Sequence, residues 1–330
     1  MVAGFGTQVL AQDTASLSYK ANLKWNIITP KETWSNVSGK LGIPHANGDG
    51  FDAYVEGQAL MVDTTGNGKV NHKVKGVAGT AVLSAKSIDG KKFKYALRFQ
   101  KAGAGWRFTS SGVMQGKVKG QMIRLLDLDN NGTFNEVGTD GMIIGKGSSA
   151  SYVSKVVNLK GGLFNLTATR DGASITVTPY EGDIWTLNLR KNFKAVGKLV
   201  SAIVSGDDGN YSFNLASAKK GMKVPAGSYV IVGGLLKKGS ATVRMRTGKM
   251  KPIDVQKDQE FILPWGSKLK AEFSYARQGE KITIEPSSLH YFGRAGVEFY
   301  DFKPNTQSPE FLVKDKRTGR EFDSGKFCST

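Results

Sequence analysis

Ala81-Val-Leu-Ser-Ala-Lys-Ser-Ile88, then Asp89-Gly90, then Lys91-Lys-Phe-Lys-Tyr-Ala-Leu-Arg-Phe99 decides the fold. Apolar and polar residues alternate on both sides of an Asp-Gly pair. A period of two sends successive side chains to opposite faces of a strand. Asp-Gly accepts the positive φ that a tight hairpin turn requires. The stretch therefore reads as a β-hairpin. Working outward, the same grammar returns in Leu163-Phe-Asn-Leu-Thr-Ala-Thr169, Arg-Asp171-Gly172, then Ala-Ser-Ile-Thr-Val-Thr178. Residues 155–159, 185–189 and 199–204 read as further strands, as do short runs from 251 to 300 and a closing hairpin from 310 to 323. Only 29–41 and 215–223 have room for a helical turn. The expected class is all-β: two or more antiparallel β-sandwich-like domains joined by Asp/Asn/Gly-rich turns.

Three hundred and thirty residues suffice for two or three cores. The small-residue run 145–151 is the clearest candidate boundary, with a softer one near 219–224. The expected organisation is a tail or signal remnant at 1–20, a domain at 21–150, hairpins at 151–222 and a sandwich at 223–330. Val224-Pro225-Ala226-Gly227-Ser-Tyr229 resembles the strand entry of transthyretin-like and immunoglobulin-like modules of secreted proteins. The resemblance implies an immunoglobulin-like sandwich for 223–330. Val9-Leu10-Ala11 resembles the end of a signal peptide, although no basic residue precedes Lys20. The expected location is accordingly secreted or cell-surface, by bacterial-type export. No run of 18 apolar residues exists to supply a transmembrane helix. The single cysteine, Cys328, cannot form an intrachain disulfide.

The strongest chemical signal is Asp127-Leu-Asp129-Asn-Asn131-Gly132-Thr133-Phe-Asn135. Side-chain oxygens fall at steps 1, 3, 5 and 9, with glycine at step 6. A hard dication takes six to eight oxygens, and the glycine permits the chain to wrap around it. The stretch resembles the calcium loop of EF-hand and dockerin repeats. That resemblance implies a structural Ca2+ held by Asp127, Asp129, Asn131, the Thr133 carbonyl and Asn135. The family's closing carboxylate at step 12 is replaced by Gly138, with Glu136 and Asp140 as the nearest substitutes and Asp140 the expected ligand. The flanking segments read as strands, not helices. An upstream copy repeats the frame: Asp63 aligns with Asp127, Asn67 with Asn131, Gly68 with Gly132 and Asn71 with Asn135. Its candidate ligands are Asp63, Thr65, Asn67 and Asn71. It carries fewer carboxylates, so weaker binding or none is expected. The alternative for this copy is a plain Asn-Gly hairpin turn.

Net charge is +18, and it is uneven. Residues 69–124 hold 13 Lys and Arg against one acid, Asp89; residues 190–251 hold 13 against two, Asp207 and Asp208. Such fields favour anionic partners: an acidic polysaccharide or cell-surface polymer, nucleic acid, or self-assembly with an acidic surface. Lys91, Lys92, Lys94, Arg98, Lys101 and Arg107 are the candidate contacts, interleaved with aromatics. The alternative is a solvated strand face on which lysines blunt edge pairing.

Three histidines, His45, His72 and His290, lack metal-ligand spacing and read as surface or turn residues. No G-x-S-x-G elbow, P-loop or dinucleotide fingerprint occurs. The expected function is a secreted, calcium-stabilised structural or surface-binding protein without catalysis. The alternative is a polysaccharide-active enzyme of glycosidase type, using carboxylates among Glu272, Glu280, Glu285 and Glu298. A nucleic-acid binder is the third reading.

Overall fold

A computed structural model of the chain describes residues 12–255, 260–263, 265–266, 268–304 and 308–327. The signal-like stretch through Ala11, and Cys328, lie outside the described residues. The protein is all-β, and among the described residues the only helical elements are two single 3-10 turns, Asp207–Gly209 and Pro286–Ser288. Neither 29–41 nor 215–223 is helical. Strands Ser35–Asn36 and Gly39–Leu41 occupy the first, while Met222–Pro225 begins at the end of the second.

The deciding stretch forms strands Ala78–Lys86 and Lys92–Ala102, paired antiparallel from Ala78↔Gln100 to Lys86↔Lys92. Gly90 takes the positive φ of the turn, +80°. Alternation then sets what is buried: Leu83, Tyr95, Leu97 and Phe99 face inward, while Lys92 and Lys94 face water. Gly105–Ser110 and Ser35–Asn36 complete this sheet. Three more antiparallel sheets close the same core. One is Gly39–Leu41, Phe51–Glu56, Ala59–Val62 and His72–Val74. Another is Ser151–Tyr152, Gly141–Ile144, Gln121–Leu126, Gly112–Val118 and Ser18–Ala21. The last is Asp13–Ser16, Ser174–Pro179, Gly162–Ala168 and Val156–Leu159. This first core draws its buried side chains from residues 17 to 177.

A second core draws on residues 185 to 299 and holds Trp185, Tyr229, Ile231, Trp265 and Phe299. Its main sheet runs Tyr211–Asn214, Lys198–Gly206, Gly227–Lys238, Ala241–Arg246, Glu298–Lys303, His290–Phe292 and Lys270–Glu272, with Ile253–Val255 also pairing Gly227–Lys238. The change of core thus falls between Val177 and Trp185, and the run 145–151 lies inside the span of the first. In the Val224–Tyr229 stretch, buried Tyr229 donates its hydroxyl to the Pro225 carbonyl at 2.8 Å. Two hairpins, Tyr275–Gln278 with Lys281–Ile284 and Glu310–Lys314 with Glu321–Lys326, pair only with themselves. No helix among the described residues is long and apolar enough to cross a membrane.

Candidate metal centre and basic surfaces

The loop 127–140 connects Gln121–Leu126 to Gly141–Ile144, which pair antiparallel from Leu126↔Gly141. Two apolar side chains pin it. Leu128 buries in a small cluster with Ile27, Leu126 and Ile143. Phe134 buries in the first core, edge-on to Tyr95 and Tyr19. Burying a phenylalanine contributes about 1.5–3 kcal/mol, which offsets part of the cost of crowding acids between the two anchors. Asn130 and Gly132 take left-handed φ values of +67° and +83°, and the chain curls so that backbone N–H groups face Asp127.

Asp127, Asp129 and Asp140 converge, each offering an oxygen within 4.8 Å of the others'. Asp127 is fully buried. Its Oδ1 accepts the Asn130 N–H at 2.6 Å, and its Oδ2 accepts the Gly132 N–H at 2.7 Å and the Tyr95 hydroxyl at 2.6 Å. Asp140, also fully buried, accepts N–H groups from Leu128 (3.2 Å) and Glu136 (3.0 Å). Asp129 Oδ2 accepts the Asn131 amide at 2.9 Å; its Oδ1 is buried with no hydrogen-bond partner. Burial pushes the Asp127 carboxyl up to about 7 against the lowering by Tyr95, Gly132 and Asn130. Burial, with the negative charge of Asp127, pushes Asp140 up to about 8. Asp129 is raised too, first by burial and then by Glu136. Three carboxyls in one low-dielectric place favour a proton or a cation among them.

The remaining expected ligands separate. Asn131 lies in the network, donating to Asp129 and to Glu136 (2.6 Å) while its Oδ1 accepts the Thr133 N–H and hydroxyl. Asn135 points elsewhere, donating to the Ala168 carbonyl at 3.4 Å. Glu136, outside the expected set, accepts from Asn131 and Thr133. At Gly138, where the EF-hand pattern carries its closing acid, a Cβ would meet the Gly209 carbonyl oxygen at 3.2 Å. Tyr95 is the group that sequence reading missed; the inward phase of its strand was visible, but its acidic partner was not.

The upstream copy, between Ala59–Val62 and His72–Val74, has the same antiparallel frame, with Val62 opposite His72. Its chemistry is the reverse. Asp63 accepts the N–H groups of Thr65, Gly66 and Gly68 and the Thr65 hydroxyl. Burial alone would raise its carboxyl, but those donors outweigh it and hold the pKa below the usual value. Asn71 accepts from Thr64, and Asn67 from the Lys69 N–H. Asp63 is a satisfied turn carboxylate and belongs to no cluster of three ligating side chains among the described residues.

Most of the expected basic contacts are engaged internally. Arg98 pairs with Glu32 at 2.7 Å and lies over Trp25 and Trp34, while Arg107 lies over Trp34. Lys91 pairs with Asp89 at 2.8 Å and Lys101 reaches Gln58 at 2.6 Å. Lys92 and Lys94 face water without a side-chain partner among the described residues. Three of the four carboxylates of the glycosidase alternative have structural partners. Glu298 is held by Arg246 and His290, Glu272 by Lys249 and Lys270, and Glu285 by Ser287. No hydrogen bond joins two of these glutamates among the described residues. His45 is buried in a turn, its Nε2 donating to the Gly50 carbonyl at 3.1 Å. His72 meets the Thr80 carbonyl.

Comparison of the chain with protein families, with curated proteins and with solved structures finds no match.

Proposed function

We propose that this chain is a non-catalytic β protein, stabilised by calcium and working outside the cytoplasm as a structural or surface-binding protein for an anionic polymer. The carrying observation is the convergence of Asp127, Asp129 and Asp140 within 4.8 Å, with Asp129 Oδ1 buried and unpartnered. An all-oxygen set without histidine or thiolate suits a hard cation over zinc or copper. Asp127, Asp129 and Asp140 would hold it, with the Asn131 amide oxygen within the same loop. Its role would be to fasten the loop between its two strands, because an ion that binds only the folded state stabilises that state. Sites of modest affinity suit extracellular calcium, which supports export. The +18 charge supports an anionic partner. Isothermal titration of the full chain with calcium tests the reading. One ion per chain, with a Kd of about 1 mM or tighter, is expected; no binding up to 10 mM removes it.

A further inference from the structure

A cleft of about 750 Å³ opens where the two cores meet. That volume is within the usual range of ligand sites, roughly 300–1,000 Å³. Its floor is apolar: Met142 from the first core, Leu199 and Phe213 from the second, all nearly fully buried. Hydrogen bonds fix the two sides against each other. The Tyr152 N–H donates to Ser212 Oγ at 3.1 Å, the Ser212 N–H to Ser154 Oγ at 3.1 Å, the Lys155 N–H to the Asn210 carbonyl at 2.8 Å, and Asn214 Nδ2 to Ser149 Oγ at 2.8 Å. Arg124 donates to the Gly145 and Gly147 carbonyls and so holds the turn that carries Lys146.

The rim is unusual in charge. Lys146 and Lys160 stand on one side, and Arg190, Lys198 and Lys219 on the other. None of the lining residues is acidic. None of these five cations forms an ion pair with a described residue, whereas Arg98 and Lys91 of the first basic block do. Between the cations lie hydroxyls and amides, including Ser148, Ser217 and Asn158. Acid groups would meet the cations, sugar hydroxyls the serines and amides, and the C–H faces of a ring the apolar floor. Single-stranded nucleic acid calls for exposed aromatic faces on which bases stack. The only aromatic residue lining the cleft, Phe213, is buried.

We propose that this cleft binds a single-chain anionic oligosaccharide, with Lys146, Lys160, Arg190, Lys198 and Lys219 taking its carboxylate or sulfate groups. This rests on reading the chain as a binder of anionic polymer, and locates that binding at the junction of the cores instead of on the Lys92 strand face. Titration calorimetry of the full chain at 50 mM salt tests it with tetragalacturonate, a heparin-derived tetrasaccharide and neutral cellotetraose. One or both charged probes should bind, at least tenfold more tightly than cellotetraose, and the tighter of the two identifies the acid group. Lys160→Gln with Arg190→Gln should weaken that binding about tenfold, the loss of two charge-assisted contacts. Lys92→Gln with Lys94→Gln should change it less than twofold. Unchanged circular dichroism and melting of both double variants would establish that folding is intact. Charged probes that bind the cleft variant as well as the parent overturn the cleft while leaving the anionic-polymer reading standing. Charged probes that do not bind the parent at all overturn both. Octathymidylate binding as tightly as the better sugar overturns the ligand class.

Discussion

Changing Tyr95 to Phe removes one oxygen from a nearly fully buried ring and leaves its packing against Phe134 in place. That oxygen sits 2.6 Å from Asp127 Oδ2, a separation typical of a hydroxyl donating to a charged carboxylate. Hydrogen bonds to charged groups contribute about 1.5–3 kcal/mol, and neutral ones about 0.5–1.5 kcal/mol. The loss therefore reports the charge on Asp127. With saturating calcium, Asp127 is held ionised, and Tyr95→Phe should cost the first core about 2–3 kcal/mol. In chelator at pH 6, with the carboxyl pushed up to about 7 and protonated, the cost should fall to about 1 kcal/mol. Urea titration measures both. Trp106 lies in this core and Trp185 and Trp265 in the other, so fluorescence of single-tryptophan versions separates the two transitions. A cycle with Asp127→Asn isolates the pair. A cost that is the same in calcium and in chelator, or below about 0.5 kcal/mol in both, would refute the reasoning.

Asp129→Asn should weaken calcium binding at least tenfold by titration, since affinity follows carboxylate count, and should not destabilise the calcium-free fold. Asp63→Asn should leave calcium affinity unchanged while costing about 1–2 kcal/mol in urea, because it turns one of the two oxygens that accept the Thr65, Gly66 and Gly68 N–H groups into a donor. The acidic loop also sets a pH dependence. Asp127 and Asp140, at about 7 and 8, lie above the ordinary 3.8; the calcium-free fold holds protons that the unfolded chain has released. Its stability should fall as pH rises from about 4 towards 8. Calcium displaces those protons, so its affinity should tighten at least tenfold between pH 5.5 and 8.5; equal affinities would be contrary. In the second core, Arg246 holds the Glu298 carboxyl below its usual value against the raising effect of burial, with His290 assisting. A depressed carboxyl contributes stability present above 4.5 and lost as pH falls through its folded value. Arg246→Gln should cost that core about 1–3 kcal/mol at pH 7 by urea titration and flatten this acid limb; the half-exposed guanidinium keeps the figure below that of a fully buried pair.

The hairpins were legible because their signal is local. The alternation of 92–99 fixes which side chains face inward without reference to any other strand, and Asp89-Gly90 places the turn. The Asp127 and Asp129 spacing was legible for the same reason. Asn135 was misdirected by spacing: seating Phe134 in the core turns the next residue toward the Ala168 carbonyl. Tyr95 could not be found from the loop, because its contact with Asp127 crosses from another sheet. The run 145–151 has the composition of a linker, yet Ser149 is bonded to Asn214 across the junction. The actual change of core, between Val177 and Trp185, carries no comparable run of small residues. The cleft was invisible for a related reason. Its cations come from positions far apart in the chain, and only the docking of the cores brings them together.

Calcium is expected to hold the 127–140 loop in its folded form. The most direct measurement is the melting of the full chain at pH 7.5 in 10 mM calcium and in chelator, resolved by the Trp106 signal of the first core. At 10 mM, ten times a Kd of about 1 mM, the ion stabilises by about 1.4 kcal/mol, and by more if it binds tighter. The first-core transition should rise by several degrees in calcium, with no such rise in magnesium at the same ionic strength or in Asp129→Asn. An identical first-core midpoint in calcium and chelator would contradict it.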